Sequence, residues 1–92
     1  MPGLLIAIFL SRSRRRPLKS AVERWETTIS QLESRRDALQ QQLADPALYL
    51  EQNKERLRAL LDDQALVVKD LVAAEGQWLK ASEALEATER ES

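Results

Sequence analysis

The sequence predicts an all-α protein, a two-helix antiparallel coiled-coil hairpin with a short helical tip. Three features predict this fold. Apolar residues recur at alternating spacings of three and four along two long stretches, which is the heptad pattern of coiled coils. An Asp-Pro pair separates the stretches, and two such helices joined by a short connection fold back on each other. The composition, with 43% hydrophobic and 32% charged residues and only two glycines, suits long helices.

The first helix is predicted over residues 18–44. Pro17 is expected in its first turn, because the fixed φ of proline suits that position. The seam residues, which should face the second helix, include one polar interruption at Arg36. The whole seam is Leu18, Val22, Trp25, Ile29, Leu32, Arg36, Leu39 and Leu43. Residues 1–16 are interpreted as a disordered or non-native leader, whose apolar part is too short to cross a bilayer.

The tip is predicted over residues 45–52. Pro46 cannot donate a helical hydrogen bond, so the first helix should end just before it. Asp45 is suited to be an N-cap with Pro46 in the first position after it. Leu48 and Tyr49 should then lie in a short turn of helix, and Asn53 could cap the helix that follows.

The second helix is predicted over residues 53–89, followed by a frayed tail of residues 90–92. Gly76 falls at an outward position, where it lowers helix stability. The spacing of three and four continues through one polar residue, Gln64. The seam is Leu57, Leu60, Gln64, Val67, Leu71, Ala74, Trp78, Ala81 and Leu85.

Folding the two seams together predicts which residues meet. Arg36 should lie opposite Gln64 and beside Asp62 and Asp63, forming a polar layer that fixes the register at some cost in stability. In the same register Trp78 should lie against Val22. Both predictions depend on the tip reversing the chain.

A second apolar stripe lies outside the seam of the second helix. Its members are Leu61, Val68, Val72 and Leu79. Two interpretations are equally supported by the pattern. The stripe either broadens the core-facing side of the helix or forms a docking surface for a partner protein, such as an ATPase domain or a second copy of the chain.

The residue types argue against catalysis. The chain contains no cysteine and no histidine, which removes the commonest nucleophile, general base and metal ligands. With two glycines, at positions 3 and 76, there is no glycine-rich phosphate loop. We therefore expect no catalytic residue, no cofactor and no metal site.

Two basic clusters are candidate contacts for nucleic acid, because phosphate binding needs exposed Lys and Arg side chains. Acidic residues intersperse the cationic residues near the tip, so binding should be weak and sensitive to salt. The simpler alternative is a solvated basic leader. The first cluster contains Arg12, Arg14, Arg15, Arg16 and Lys19, and the second, near the tip, contains Arg35, Lys54, Arg56 and Arg58.

One stretch of the sequence is similar to a known family. The tip sequence Leu43-Ala44-Asp45-Pro46, followed by Leu48 and Tyr49 and by the later Trp78, resembles the C-terminal coiled-coil domain of ABC-F ATPases of the Uup/YheS type. The entry Arg16-Pro17-Leu18-Lys19 is also similar, so the resemblance covers residues 16–89. It implies a cytoplasmic protein associated with the ribosome and translation, with a nucleic-acid-binding role for this domain.

The chain departs from that family in lacking both Walker motifs, so ATP binding is not carried over and a detached fragment or stand-alone remnant is expected. The preferred hypothesis is a non-catalytic module that contacts rRNA, the ribosome or DNA through its basic tip and base. The alternative is a structural protein-interaction or self-association coiled coil with no nucleic-acid role. Attachment to a membrane surface through residues 4–10 and the following arginines is the least favoured.

Overall fold

The computed structural model describes the backbone of residues 2–91 and the side chains of residues 15–90. Helix α1 spans Pro2–Leu43 and helix α2 spans Lys54–Glu91. Two short 3₁₀ helices, Pro46–Tyr49 and Glu51–Asn53, connect them. The part of the chain that the structure describes contains no strand. The prediction of an all-α protein with two long helices and a short helical tip is therefore confirmed.

The predicted start of the first helix is wrong. Helix α1 begins at Pro2 rather than near residue 18, and Pro17 lies inside it. Residues 4–10 contain leucine, isoleucine and alanine without an internal Gly or Pro, which favours helix. Pro17 lacks a backbone donor and its ring crowds the carbonyl four residues before it, so it lowers helix stability here without ending the helix.

The other helix ends lie close to their predicted positions. Helix α1 ends at Leu43, and α2 begins at Lys54. Helix α2 continues to Glu91, beyond the predicted frayed end. Within the described residues, neither helix combines the length and the apolar character that a bilayer span requires.

Backbone contacts divide the chain into two compact units, which are described separately. The first, the tip unit, contains residues 28–74. Its core is formed by both helices and by the tip, since Leu48 is buried together with residues of α1 and α2. The buried residues are Leu39, Leu48, Leu60, Val67 and Leu71, and the half-buried residues packed on them are Ile29, Leu32, Leu43 and Leu57. Except for Leu48, all of these are predicted seam residues.

The second, the terminal unit, contains residues 1–27 and 75–92. Its predicted seam residues are half-buried, among them Trp25, Trp78 and Leu85. The indole Nε1 of Trp78 donates a hydrogen bond to Glu26 Oε1 at 3.3 Å. This contact lies one helical turn beyond Val22, the neighbour that the predicted register assigned to Trp78.

Thr88 continues the seam of α2 in this unit although it is polar. It is only 5% exposed, and it follows Leu85 by three residues. Its hydroxyl donates to the backbone carbonyl of Leu85 at 2.7 Å. Because this bond satisfies the donor locally, the buried hydroxyl group avoids most of the cost of leaving water.

The predicted polar layer of Arg36 and Gln64 stays a prediction. Arg36 and Gln64 are both half-buried, but within the described residues no hydrogen bond joins them. The Arg36 guanidinium instead bonds to Asp37 at 3.3 Å and lies 4.0 Å from Glu33, both on its own helix. Asp63 is approached by the neighbouring Arg35, at 4.0 Å. Acidic residues three positions before and one after Arg36 can reach it without crossing to α2.

Replacing Gly76 with alanine should stabilise the protein. A Cβ atom at this position would meet no atom within 4 Å. Alanine also loses less backbone entropy than glycine on entering a helix, which is worth about 1 kcal/mol. We expect Gly76→Ala to raise the midpoint of thermal unfolding, followed by circular dichroism, by about 4–8 °C.

The matched control is Ala73→Gly, at another exposed position of α2. It should lower the midpoint by a similar amount. An unchanged or lower midpoint for Gly76→Ala would contradict the placement of Gly76 in a regular, solvent-facing turn of helix.

Candidate functional site

The candidate site is the connection between α1 and α2, together with the cationic side chains around it. Asp45 begins the connection in an extended conformation, with φ −72° and ψ 117°. Its carboxylate Oδ1 accepts a hydrogen bond from the Ala47 backbone N–H at 3.0 Å. Pro46 follows in the first turn, where no backbone donor is needed. The predicted N-cap role of Asp45 is confirmed, with a 3₁₀ helix as the element that it caps.

Tyr49 closes the end of α1. Its hydroxyl donates to the backbone carbonyl of Leu43 at 2.7 Å. The last carbonyl groups of an α-helix have no partner within the helix, so this bond satisfies one of them. Tyr49 as a whole is 61% exposed. The side chain is therefore anchored at its hydroxyl while its ring remains accessible to solvent.

Leu48 and Asn53 hold the connection from two further points. Leu48 is 5% exposed and belongs to the core of the tip unit. The Asn53 side-chain amide donates to the Ala47 carbonyl at 2.7 Å, and the Leu50 N–H donates to the same oxygen at 3.2 Å. Asn53 was predicted to cap the second helix, but its side chain ties two parts of the connection together instead.

The cationic side chains near this connection are exposed. Lys54, Arg56 and Arg58 lie in the first two turns of α2. Within the described residues none of the three has an acidic partner within 4.0 Å. Arg35, the fourth predicted member of this cluster, is also exposed but faces Asp63. Three of the four predicted cations are thus available to an external anion.

The other basic cluster, the first of the two predicted, belongs to the terminal unit. Arg12 and Arg14 lie outside the residues whose side chains are described. Arg16 and Lys19 are exposed, whereas Arg15 is half-buried and interacts within the chain. Their role in binding nucleic acid stays a prediction.

The concave surface at the connection is small and open. It is an open cleft beside the first 3₁₀ helix, lined by Gln42, Asp45, Ala47, Leu48, Asn53 and Arg56. Among the described side chains there is also no group of three or more acidic residues placed to hold a metal ion. The chemistry that this region offers is therefore surface contact through charge and hydrogen bonding.

The second apolar stripe is accessible. Leu61 and Val68 are each 48% exposed, Val72 is 66% exposed and Leu79 is 51% exposed. Of the two interpretations of the stripe, a wider core face would have required these side chains to be buried. Docking of a partner on this stripe stays a prediction.

Comparison with known proteins identifies one family. The family model described as ABC transporter C-terminal domain matches residues 13–83, which include the connection and every predicted seam residue except Leu85. No curated protein and no solved structure gives a significant match to the chain. The family match confirms the resemblance indicated by the tip sequence.

Removing the Tyr49 hydroxyl should destabilise the connection. Tyr49→Phe keeps the ring but leaves the Leu43 carbonyl without this donor, which should cost about 1 kcal/mol. The measurement is the free energy of unfolding in urea. The control is Leu50→Ala, which shortens the adjacent exposed side chain and should have a smaller effect. A phenylalanine variant as stable as the parent would contradict an anchoring role for the hydroxyl.

Proposed function

We propose that this chain, which belongs to the ABC transporter C-terminal domain family, is a non-catalytic antiparallel coiled coil that contacts nucleic acid through its tip. The observation that carries the proposal is the exposure of Lys54, Arg56 and Arg58 without acidic partners in the described part of the chain. The resemblance to ABC-F C-terminal domains favours ribosomal RNA or DNA as the partner.

The tip unit supports the antiparallel arrangement. A short connection of two 3₁₀ helices separates α1 from α2, and its Leu48 enters a core formed by both of them. The same core includes residues close to the connection, Leu43 and Leu57, and residues further away, Ile29 and Leu71. Helices that leave a compact turn and stay in contact over this length run in opposite directions.

The position of the cations suits phosphate binding. They lie at the start of α2, the end at which the helix dipole carries a partial positive charge. A phosphate placed there would meet side-chain and helix charges of the same sign. The connection also fixes the backbone that carries these side chains, through the bonds of Asp45 and Asn53.

Acidic residues limit the strength of the contact. Glu51 and Glu55 are exposed and alternate along the chain with the cations of the tip. Tyr49 adds one exposed aromatic ring, which could stack on an unpaired base. One ring and a few cations provide little base-specific recognition. We therefore expect weak, strongly salt-dependent binding with little preference for sequence.

Neutralising the tip should weaken nucleic-acid binding. In the triple variant Lys54→Gln, Arg56→Gln and Arg58→Gln, up to three phosphate contacts are lost. Each contact should reduce the slope of log affinity against log salt by about 0.7 for single strands and 0.9 for duplex DNA. The measurement is fluorescence anisotropy with labelled single-stranded RNA, single-stranded DNA and duplex DNA over a salt series.

The matched control removes the same charge elsewhere, through Arg24→Gln, Lys80→Gln and Arg90→Gln, three exposed residues of the terminal unit. It should keep most of the affinity and the salt slope of the parent. Equal losses in the two triple variants would mean that only net charge matters, and would contradict a binding site at the tip. Absence of binding by the parent at low salt would contradict a nucleic-acid role altogether.

A further inference from the structure

The exposed apolar stripe of α2 has a regular spacing within the tip unit. Three members of the stripe, Leu61, Val68 and Val72, lie in this unit together with Ala65. All four residues are exposed, and they follow one another at intervals of four, three and four residues. This spacing places them on one side of the helix, as in a coiled-coil seam. The predicted seam of the same helix, which includes the buried Val67 and Leu71, occupies a different side.

We propose that a second copy of this chain covers the stripe, with the two α2 helices packed antiparallel about a twofold axis. The residues of a coiled-coil seam alternate between two heptad positions, a and d. In an antiparallel pair, an a residue of one helix packs against a d residue of the other. This rule pairs Leu61 with Val72 of the second copy, and Ala65 with Val68 of the second copy. Each layer combines a larger side chain with a smaller one, which suits close packing. The twofold axis repeats both layers, so the interface is self-complementary.

The charges beside the stripe favour this pairing. Asp62 and Lys69 each follow a stripe residue by one position, so they lie on the same flank of the stripe. Both are exposed, and neither has an ion-pair partner within 4.0 Å among the described residues. In the antiparallel register, residues on this flank of one copy approach residues on the same flank of the other. Asp62 of each copy then lies beside Lys69 of the second copy, and the symmetry forms this pair twice.

A parallel dimer does not use these charges. In that arrangement the corresponding flanks of the two helices lie on opposite sides of the seam, so Asp62 and Lys69 of different copies are kept apart. The antiparallel register is therefore the one in which both the apolar residues and the charged residues find partners. The stripe is short, which points to a weak dimer that dissociates on dilution.

The first test is the oligomeric state of the full chain, measured by sedimentation velocity over a concentration series. The parent should form dimers reversibly as concentration rises. Val68→Glu and Val72→Glu each introduce two like charges into the proposed interface and should leave the chain monomeric. Because both side chains are already exposed, the helix content measured by circular dichroism should not change.

The matched control is Leu66→Glu. Leu66 is 57% exposed and lies on the same helix, but outside the spacing of the stripe. This variant should dimerise like the parent. Equal loss of dimer in Leu66→Glu and Val68→Glu would overturn the assignment of the interface to the stripe.

The second test examines the register by charge reversal. Asp62→Lys alone and Lys69→Asp alone should each weaken dimerisation by about tenfold, because each creates two repulsive pairs. The double variant Asp62→Lys with Lys69→Asp restores opposite charges and should recover the parent's affinity. Additive losses in the double variant would overturn the antiparallel register.

A parent chain that stays monomeric at every concentration would overturn self-association, and would leave the stripe to a different protein such as an ATP-binding domain. This inference uses none of the tip cations. The two proposals can therefore fail separately. A dimer that does not bind nucleic acid would contradict only the proposed function, and a monomer that binds nucleic acid would contradict only the self-association.

Discussion

Tyr49 and Leu43 form the contact on which the arrangement of the tip unit depends. The Tyr49 hydroxyl supplies a partner for a carbonyl that the end of α1 leaves unsatisfied. Asp45 fixes the next turn through the Ala47 amide, and Leu48 enters the apolar core. If the helix ended here without these partners, several backbone N–H and C=O groups would have no hydrogen bond within the protein. The connection therefore determines both where α1 ends and how its apolar side meets that of α2.

The same connection explains why the tip is a plausible contact surface. Lys54, Arg56 and Arg58 follow it directly, in the first two turns of α2. Their positions are set by backbone structure and not by partners of their own. A rigid, cationic surface without a deep pocket suits a large anionic partner better than a small ligand. The exposed stripe of α2 offers a second, chemically different surface in the same unit.

Much of this structure could be predicted from the sequence because heptad spacing specifies which side of a helix is covered. Every predicted seam residue from Leu18 to Leu85 is buried or half-buried. The identities of the tip residues were equally informative, since Asp45 and Pro46 have strong positional preferences. The burial of Thr88 was not predicted, because the seam was identified from apolar residues and threonine is polar. Its position three residues after Leu85 fits the heptad spacing and could have indicated that it is buried. The role of Asn53 was missed because Asn is also common at helix N-termini, and the spacing cannot tell which nearby backbone group it will bond.

The error in the start of α1 has a physical cause that the pattern could not reveal. A proline is a probable boundary only when the residues before it do not favour helix, and residues 4–10 do favour it. Spacing also leaves the choice between adjacent arginines open, because both Arg35 and Arg36 have long side chains. Arg36 finds acidic partners on its own helix, and this leaves Asp63 to Arg35.

The central claim, that the connection folds α2 back along α1, can be tested by measuring one distance. The chain has no cysteine, so Ser34→Cys and Leu66→Cys allow two spin labels to be attached at exposed positions, diluted with unlabelled chain. Helices packed side by side through an antiparallel turn predict a separation below about 25 Å by pulsed electron paramagnetic resonance. A separation of roughly 50 Å, the length of one uninterrupted helix between these residues, would contradict the account.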